Sequence, residues 1–192
     1  MEPIIIRERG IAQEITIEEI AEPHEELIDG KPCICVSCSF RAAQLAFSKL
    51  WRENAEIPKR EEIKIISTLP TEGSQQTFKY ILGIEPLSKS KARGEFELDL
   101  PLGTDVKNLT PQNYAFIFTQ KSTGAAIRVK ARPETFPDGF FEQRRIVEFG
   151  ILREATVEEQ ARFEEWEREV RDRFLSFPEE ELFFGETKVE GR

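Results

Sequence analysis

The chain is 192 residues long, about the size of one large domain, and its 39% apolar content with fifteen Phe can build a core without a disulfide or metal staple. Its formal net charge of −9, from 36 acids against 27 bases, argues against a nucleic-acid or anionic-membrane face. No stretch approaches the roughly 18 apolar residues of a spanning helix, and residues 1–8 lack the basic segment and apolar run of a signal peptide. The expectation is a soluble, cytoplasmic protein with a small-molecule or protein partner, no nucleic acid and no membrane.

In chain order, residues 4–6 read as a short apolar strand. Thr16-Ile17-Glu18-Glu19 is a capping box, in which the Thr hydroxyl accepts an early amide and Glu19 reaches back. Ile17, Ile20, Ala21, His24, Leu27 and Ile28 then share a helical face, interrupted by Pro23 and ended by Asp29-Gly30. Residues 32–37 alternate thiol and aliphatic side chains, as a short strand or an extended entry to a helix does. A helix follows from Ser39, with Phe40, Ala43, Phe47, Leu50 and Trp51 on one face. Residues 54–60 read as loop, 63–67 as strand, and 74–82 as a helix closed by Gly83.

A basic loop over 88–94 precedes a strand at 96–100. Strands at 113–120 and 125–131, joined by Lys121-Ser122-Thr123-Gly124, read as a β-hairpin. Residues 133–139 are loop and 145–150 a further strand. Thr156-Val157-Glu158-Glu159 is a second capping box, opening a helix over about 156–176 that carries Phe163, Trp166, Val170 and Phe174 at helical spacing. Pro178 stops it, and residues 185–192 read as a frayed tail. The fold class is α+β, a mainly antiparallel sheet flanked by helices with a long C-terminal helix, in a single domain over 1–184.

Chemistry concentrates in Cys33-Ile34-Cys35-Val36-Ser37-Cys38. Three thiols in six residues do not make a secreted disulfide framework. In a reducing compartment they are metal ligands, redox groups or buried packing. In an extended segment Cys33 and Cys35 point to one side, and Cys38 lies at the mouth of the expected helix, where the dipole lowers a thiol's pKa. Three thiolates suit zinc or another transition metal with an open fourth position. His24, the single histidine, is the one imidazole available as a further ligand or base. Arg41 opens the helix after the cluster and Arg128 sits in the hairpin; each is a candidate for holding an anionic ligand or cofactor, or a surface charge. Arg144-Arg145 and Lys89, Lys91 and Arg93 read as solvated charges, and Tyr80 and Tyr114 as core-edge residues.

The segment Ser39-Phe40-Arg41-Ala42-Ala43-Gln44-Leu45-Ala46-Phe47 after a Cys resembles the FmdE-like family of formylmethanofuran dehydrogenase accessory proteins, in which a His-x-His-x-Cys-Pro-Gly element precedes an Arg-Ala helix. A strand, loop and helix ending in Leu82-Gly83, the turn Thr123-Gly124-Ala125-Ala126-Ile127-Arg128-Val129, and a Thr-x-Glu-Glu helix followed by Pro178, Glu179, Glu181, Leu182 and Phe183 agree in order, over roughly residues 17–183. Aligned without gaps, Cys33 matches the family's metal-site Cys, while its two His positions fall on Asp29 and Lys31 and its Pro-Gly on Ile34-Cys35. Where the family has Cys-Gly-x-Asp, this chain has Gly73, Ser74 and Gln76, and no cysteine-rich C-terminal module follows Cys38.

The resemblance implies a homodimeric accessory protein that binds a metal or metal-containing cofactor and accompanies a molybdenum or tungsten enzyme or an anaerobic C1 pathway. The candidate metal ligands are Cys33, Cys35, Cys38 and His24. Phe177, Phe183 and Phe184 are candidates for the dimer interface or, equally, for packing inward. Two alternatives stand beside it: a metal-free interaction module of the same fold, and a thiol enzyme using Cys33 or Cys38 as nucleophile with Arg41 holding an anion.

Overall fold

The computed structural model describes residues 1–23, 27–51, 57–84, 92–151 and 153–189. His24 and parts of the 54–60 and 88–94 loops lie outside the described residues. Strands β1 (Ile4–Glu8) and β2 (Ile11–Ile15) pair antiparallel around Arg9 and Gly10, whose φ values of 50° and 86° suit a two-residue hairpin turn. The sequence pattern predicts the first of these strands but not the second, which is largely exposed and carries no alternation. The first capping box forms as expected: Thr16 Oγ1 accepts from the Glu19 amide at 3.2 Å and Glu19 Oε2 from the Thr16 amide at 3.0 Å. The helix it opens, α1 (Ile17–Ala21), ends before Pro23.

Ile28 and Lys31 then pair across a tight turn in which Asp29 and Gly30 both have positive φ, 52° and 70°. The next helix, α2 (Ile34–Leu50), corrects the expected strand over 32–37 and the helix start at Ser39. It begins five residues earlier, with Cys33 as its N-cap. The physical reason is burial. Ile34, Val36, Ser37, Cys38, Ser39 and Phe40 are all buried, so the first turns have no polar face to betray a helical period.

A 3-10 turn at Arg60–Glu62 leads into β3 (Ile63–Ser67), α3 (Glu72–Ile81) and β4 (Glu95–Leu98). The hairpin follows as β5 (Ala115–Gln120) and β6 (Ala125–Ala131). Next is α4 (Phe140–Val147), where a strand at 145–150 is expected; an eight-residue helix entered through Gly139 at φ 80°, without a side-chain cap, leaves little local signal. The second capping box opens α5 (Val157–Ser176), as its spacing predicts. The short α6 (Glu179–Leu182) and β7 (Phe183–Val189) close the described chain. β7 replaces the frayed tail expected from Gly185: it pairs antiparallel with β6 from Ala131↔Phe183 to Ala125↔Val189, a stabilisation that comes from a partner strand rather than from its own residues.

The five-stranded sheet has the order β4-β3-β5-β6-β7, with β3–β4 parallel across the α3 crossover and the other pairs antiparallel. The fold is therefore α+β with a mainly antiparallel sheet, as the element pattern predicts. Ile63, Ile65, Phe116, Phe118, Ile127 and Val129 alternate onto one face and are buried. Onto them pack Phe47 of α2, 6.0 Å from Phe118, and Phe78 of α3, 5.1 Å from Phe116. Small residues let α2 and α3 meet closely, and the buried Ser39 hydroxyl donates to Ser74 at 2.9 Å. Gly94 sits where a Cβ would lie 2.3 Å from Leu82 Cδ2 and 2.8 Å from the Ile63 carbonyl oxygen, so the approach to β4 admits only glycine.

A second aromatic cluster joins α4 and α5 to the sheet's end. Phe136 lies 4.9 Å from Tyr114, 4.9 Å from Phe141 and 6.0 Å from Phe174. Phe183 packs inward, 5.8 Å from Phe174, while Phe177 and Phe184 remain exposed. Among the described residues no helix is long and apolar enough to cross a membrane.

Candidate functional site

The N-terminus of α2 opens into a cavity of about 600 Å³ walled by Leu27 and Ile28, α2, the start of α3, α4 and α5. Its entry turn is pinned from behind: the buried Arg171 of α5 donates to the Ile28 carbonyl at 2.7 Å and to Asp172 at 2.9 Å. That turn sets where Pro32 ends and Cys33 begins. Cys33 keeps an extended backbone as the N-cap, its carbonyl accepting from the Ser37 amide at 3.0 Å, and Cys35 falls in the first helical turn. Both thiols line the cavity. Cys38, one turn further on, is fully buried and does not.

Cys35 is surrounded by groups that favour its thiolate. The neighbouring Cys33 thiol is the largest influence, donating toward it, and lowers the Cys35 pKa against the cost of burial. The Thr71 hydroxyl, the Arg144 charge and the Tyr114 hydroxyl add to this. Tyr114 Oη and Cys35 Sγ are 4.0 Å apart. Thr71, 7% exposed, has no hydrogen-bond partner of normal geometry for its hydroxyl and faces the same cavity, ready to donate to a thiolate. Cys33 is driven the other way, first by its hydrogen bond to Cys35, then by burial, despite the nearby Val36 and Cys35 amides. Cys38 is raised by burial and by Cys35. Of the three thiols, Cys35 is the one whose neighbours favour the charged form, while the surroundings of Cys33 and Cys38 favour the protonated one.

Arg144 stands at the cavity through three contacts: it donates to the Val106 carbonyl at 2.8 Å, pairs with Glu148 at 2.8 Å, and lies 5.1 Å from the Phe149 ring centroid. Burial would lower its pKa, but Glu148, Tyr114 and Cys35 outweigh that and raise it. Burial is also the main influence on Tyr114, which it raises, with the Cys35 charge adding to it, so the phenol stays protonated and remains a donor. From α5, Glu167 faces the cavity with a pKa raised to about 7, by burial and then by the Glu148 charge. Glu72 and Glu148 are the other acids on the wall. With Arg144 paired to Glu148, Glu72 and the partly ionised Glu167 leave the wall with excess negative charge, which disfavours an anionic ligand and suits a neutral or cationic one.

Because the folded pKa of Glu167 lies above its ordinary value of about 4.3, the folded state holds its proton more tightly, and the associated stability is lost as pH rises from about 4.3 through 7. Glu167→Gln, which fixes a neutral side chain, is expected to be more stable than the parent by on the order of 2 kcal/mol at pH 8, after discounting for partial solvent screening, and equal to it near pH 4. Urea midpoints at the two pH values measure this; an equal offset at both would refute the assignment.

The other expected site residues fall elsewhere. Arg41 donates to the Phe177 carbonyl at 2.8 Å and to Gln44 at 3.0 Å, and lines a separate hollow with the N-terminal strand. Arg128 is exposed on the sheet face opposite Ile127 and Val129, beside Lys130 and Glu186. Neither borders the thiol cavity. Asp29, matched to one of the family's His positions, is exposed 4.0 Å from Arg168 and Arg171. Among the described residues no group of three or more His, Cys, Asp and Glu side chains converges as a metal site would require. Sequence reasoning missed Arg144, Tyr114, Thr71 and Glu167, which reach the cavity from four separate elements. The single local clue is Glu167, an acid next to the buried-face Trp166. No protein-family model and no curated protein matches the chain.

Proposed function

We propose that this cavity is a thiol site, in which Cys35 attacks a small, neutral or cationic electrophile and Glu167 accepts or returns the proton. One observation carries the reading: a thiol in the first turn of a 17-residue helix faces a 600 Å³ cavity together with Arg144, Tyr114 and the buried Thr71 hydroxyl. Helix dipole and donors stabilise the thiolate, which is the nucleophile. The wall carboxyls choose among electrophiles by charge. Cys35 thus takes the role that the thiol-enzyme alternative gave to Cys33 or Cys38, and Arg144 is the arginine beside it where that alternative named Arg41.

The test is alkylation of the reduced protein under neutral and anionic reagents. Iodoacetamide is expected to outpace iodoacetate at Cys35 by about tenfold more than it does with a free thiol, because the cavity repels the carboxylate. Arg144→Gln is expected to widen that gap and to move the rate–pH curve upward, and Arg144→Lys to restore it in part. Ordinary thiol reactivity, with a midpoint near 8.5 and no charge preference, would overturn the proposal.

The resemblance to the FmdE-like family supports a second reading: a homodimeric accessory protein of a molybdenum or tungsten enzyme, or of anaerobic C1 metabolism, that binds zinc, another transition metal or a metal-containing cofactor. What favours it is that Cys33, which matches the family's metal-site cysteine, shares an acid-lined cavity with Cys35. Such walls attract a cation. The described residues bring two thiols together and no converging third ligand, so no step is assigned to a metal. Anoxic purification and elemental analysis separate the readings: a stoichiometric metal lost in Cys33→Ser supports the second, and fully reduced, metal-free protein supports the first.

A further inference from the structure

We infer that Cys33 and Cys35 act as a dithiol that reduces small neutral or cationic disulfides, Cys35 attacking and Cys33 resolving. This rests on the reading of Cys35 as the nucleophile and goes further by giving Cys33 a chemical role and the substrate its class. The two thiols line one cavity, two residues apart where α2 begins. Residues two apart span at most about 7 Å between Cα atoms. The junction here, an extended N-cap running into a helical turn, is shorter than full extension. A disulfide requires a Cα separation of about 4.4–6.8 Å, which lies within the reach of two residues at this spacing. Cys38 takes no part, being sealed in the core.

The steps balance. The Cys35 thiolate attacks one sulfur of R–S–S–R, the S–S bond breaks, and one thiolate RS⁻ leaves and takes up a proton to become RSH. Cys33 then gives its proton to the Glu167 carboxylate and its sulfur attacks Cys35 in the mixed disulfide. That S–S bond breaks, the second RS⁻ leaves and is protonated, and Cys33–Cys35 remain joined. Two thiols are oxidised and one disulfide is reduced to two thiols, with no further oxidant. A cellular dithiol, reacting by the same exchange in reverse, returns the pair to its reduced form. The Arg144–Glu148 pair and Glu72 surround this path, so a disulfide bearing carboxylates is disfavoured.

The full reduced chain, mixed with neutral 2,2′-dithiodipyridine, tests the pair. The expected result is release of two thiopyridone equivalents and a protein lighter by two hydrogens, with no retained pyridyl group and the bridge mapped to Cys33–Cys35. Cys33→Ser is expected to release one equivalent and keep one pyridyl group on Cys35, and Cys33→Ala repeats the measurement should serine disturb the cap. The dianionic aromatic disulfide 5,5′-dithiobis(2-nitrobenzoate) is expected to react more slowly than with a free thiol, by about tenfold. A parent protein that stops with a pyridyl group on Cys35 and an alkylatable Cys33 overturns the dithiol inference and leaves the Cys35 site standing. Absence of fast reaction at Cys35 overturns both.

Discussion

Replacing Cys35 by serine is expected to remove the fast phase of thiol alkylation, lowering the initial rate near neutral pH by about a hundredfold or more. The size follows from what remains. Cys33 is held protonated by its partner and by burial, and Cys38 is fully buried with its pKa raised as well. Neither offers an exposed thiolate. In the parent, the Cys35 rate is expected to level off below the ordinary thiol midpoint of about 8.5, because its donors favour the charged form. Cys38→Ala is the control and leaves the rate within about twofold, since Cys38 does not border the cavity. A Cys35→Ser protein that still alkylates quickly would place the reactive sulfur elsewhere and remove the basis of the thiol site.

The largest expected effect on stability comes from Phe136→Ala, at about 3–5 kcal/mol. Phe136 is 5% exposed and joins Tyr114 and Phe141, each 4.9 Å away, to Phe140 at 5.7 Å and Phe174 at 6.0 Å. Truncation loses the transfer energy of the ring, leaves a cavity, and removes several aromatic contacts worth about 0.5–1.5 kcal/mol apiece. For a chain of this size the melting temperature should fall by roughly 10 °C. The change also frees Tyr114, whose hydroxyl lies 4.0 Å from the Cys35 sulfur, so thiol reactivity at neutral pH should fall along with the melting temperature. Phe184→Ala is the contrast: its ring is 41% exposed and rests on Arg132 at 3.9 Å, and its loss should cost under about 1 kcal/mol. Calorimetry of the two variants checks both; equal melting temperatures would show that Phe136 is not the link between the α4–α5 helices and the sheet.

How local each signal is decides which elements are legible in the sequence. Both capping boxes are legible because donor and acceptor lie three residues apart, and both form with the expected bonds. The β5–β6 hairpin and β3 are legible through alternation and turn chemistry, and α5 through its helical period. The start of α2 is not, because its first turns are buried on nearly every side and the alternating thiols imitate a strand. β7 is not, because a strand at the end of a sheet owes its order to main-chain bonds with β6.

For the site, the sequence by itself determined that the thiols cluster, that they precede a helix and that one of them sits beside its N-terminus. Those are facts of spacing, carried by covalent geometry and capping. Only the tertiary structure distinguishes the three thiols by their surroundings. Cys33, Cys35 and Cys38 are the same chemical group, and what separates them is a buried core around one, a cavity lined by the other two, and Thr71, Tyr114, Arg144 and Glu167 converging on that cavity from distant parts of the chain. Electrostatics and desolvation act through space, so a thiol's reactivity is set by neighbours that its own segment does not contain.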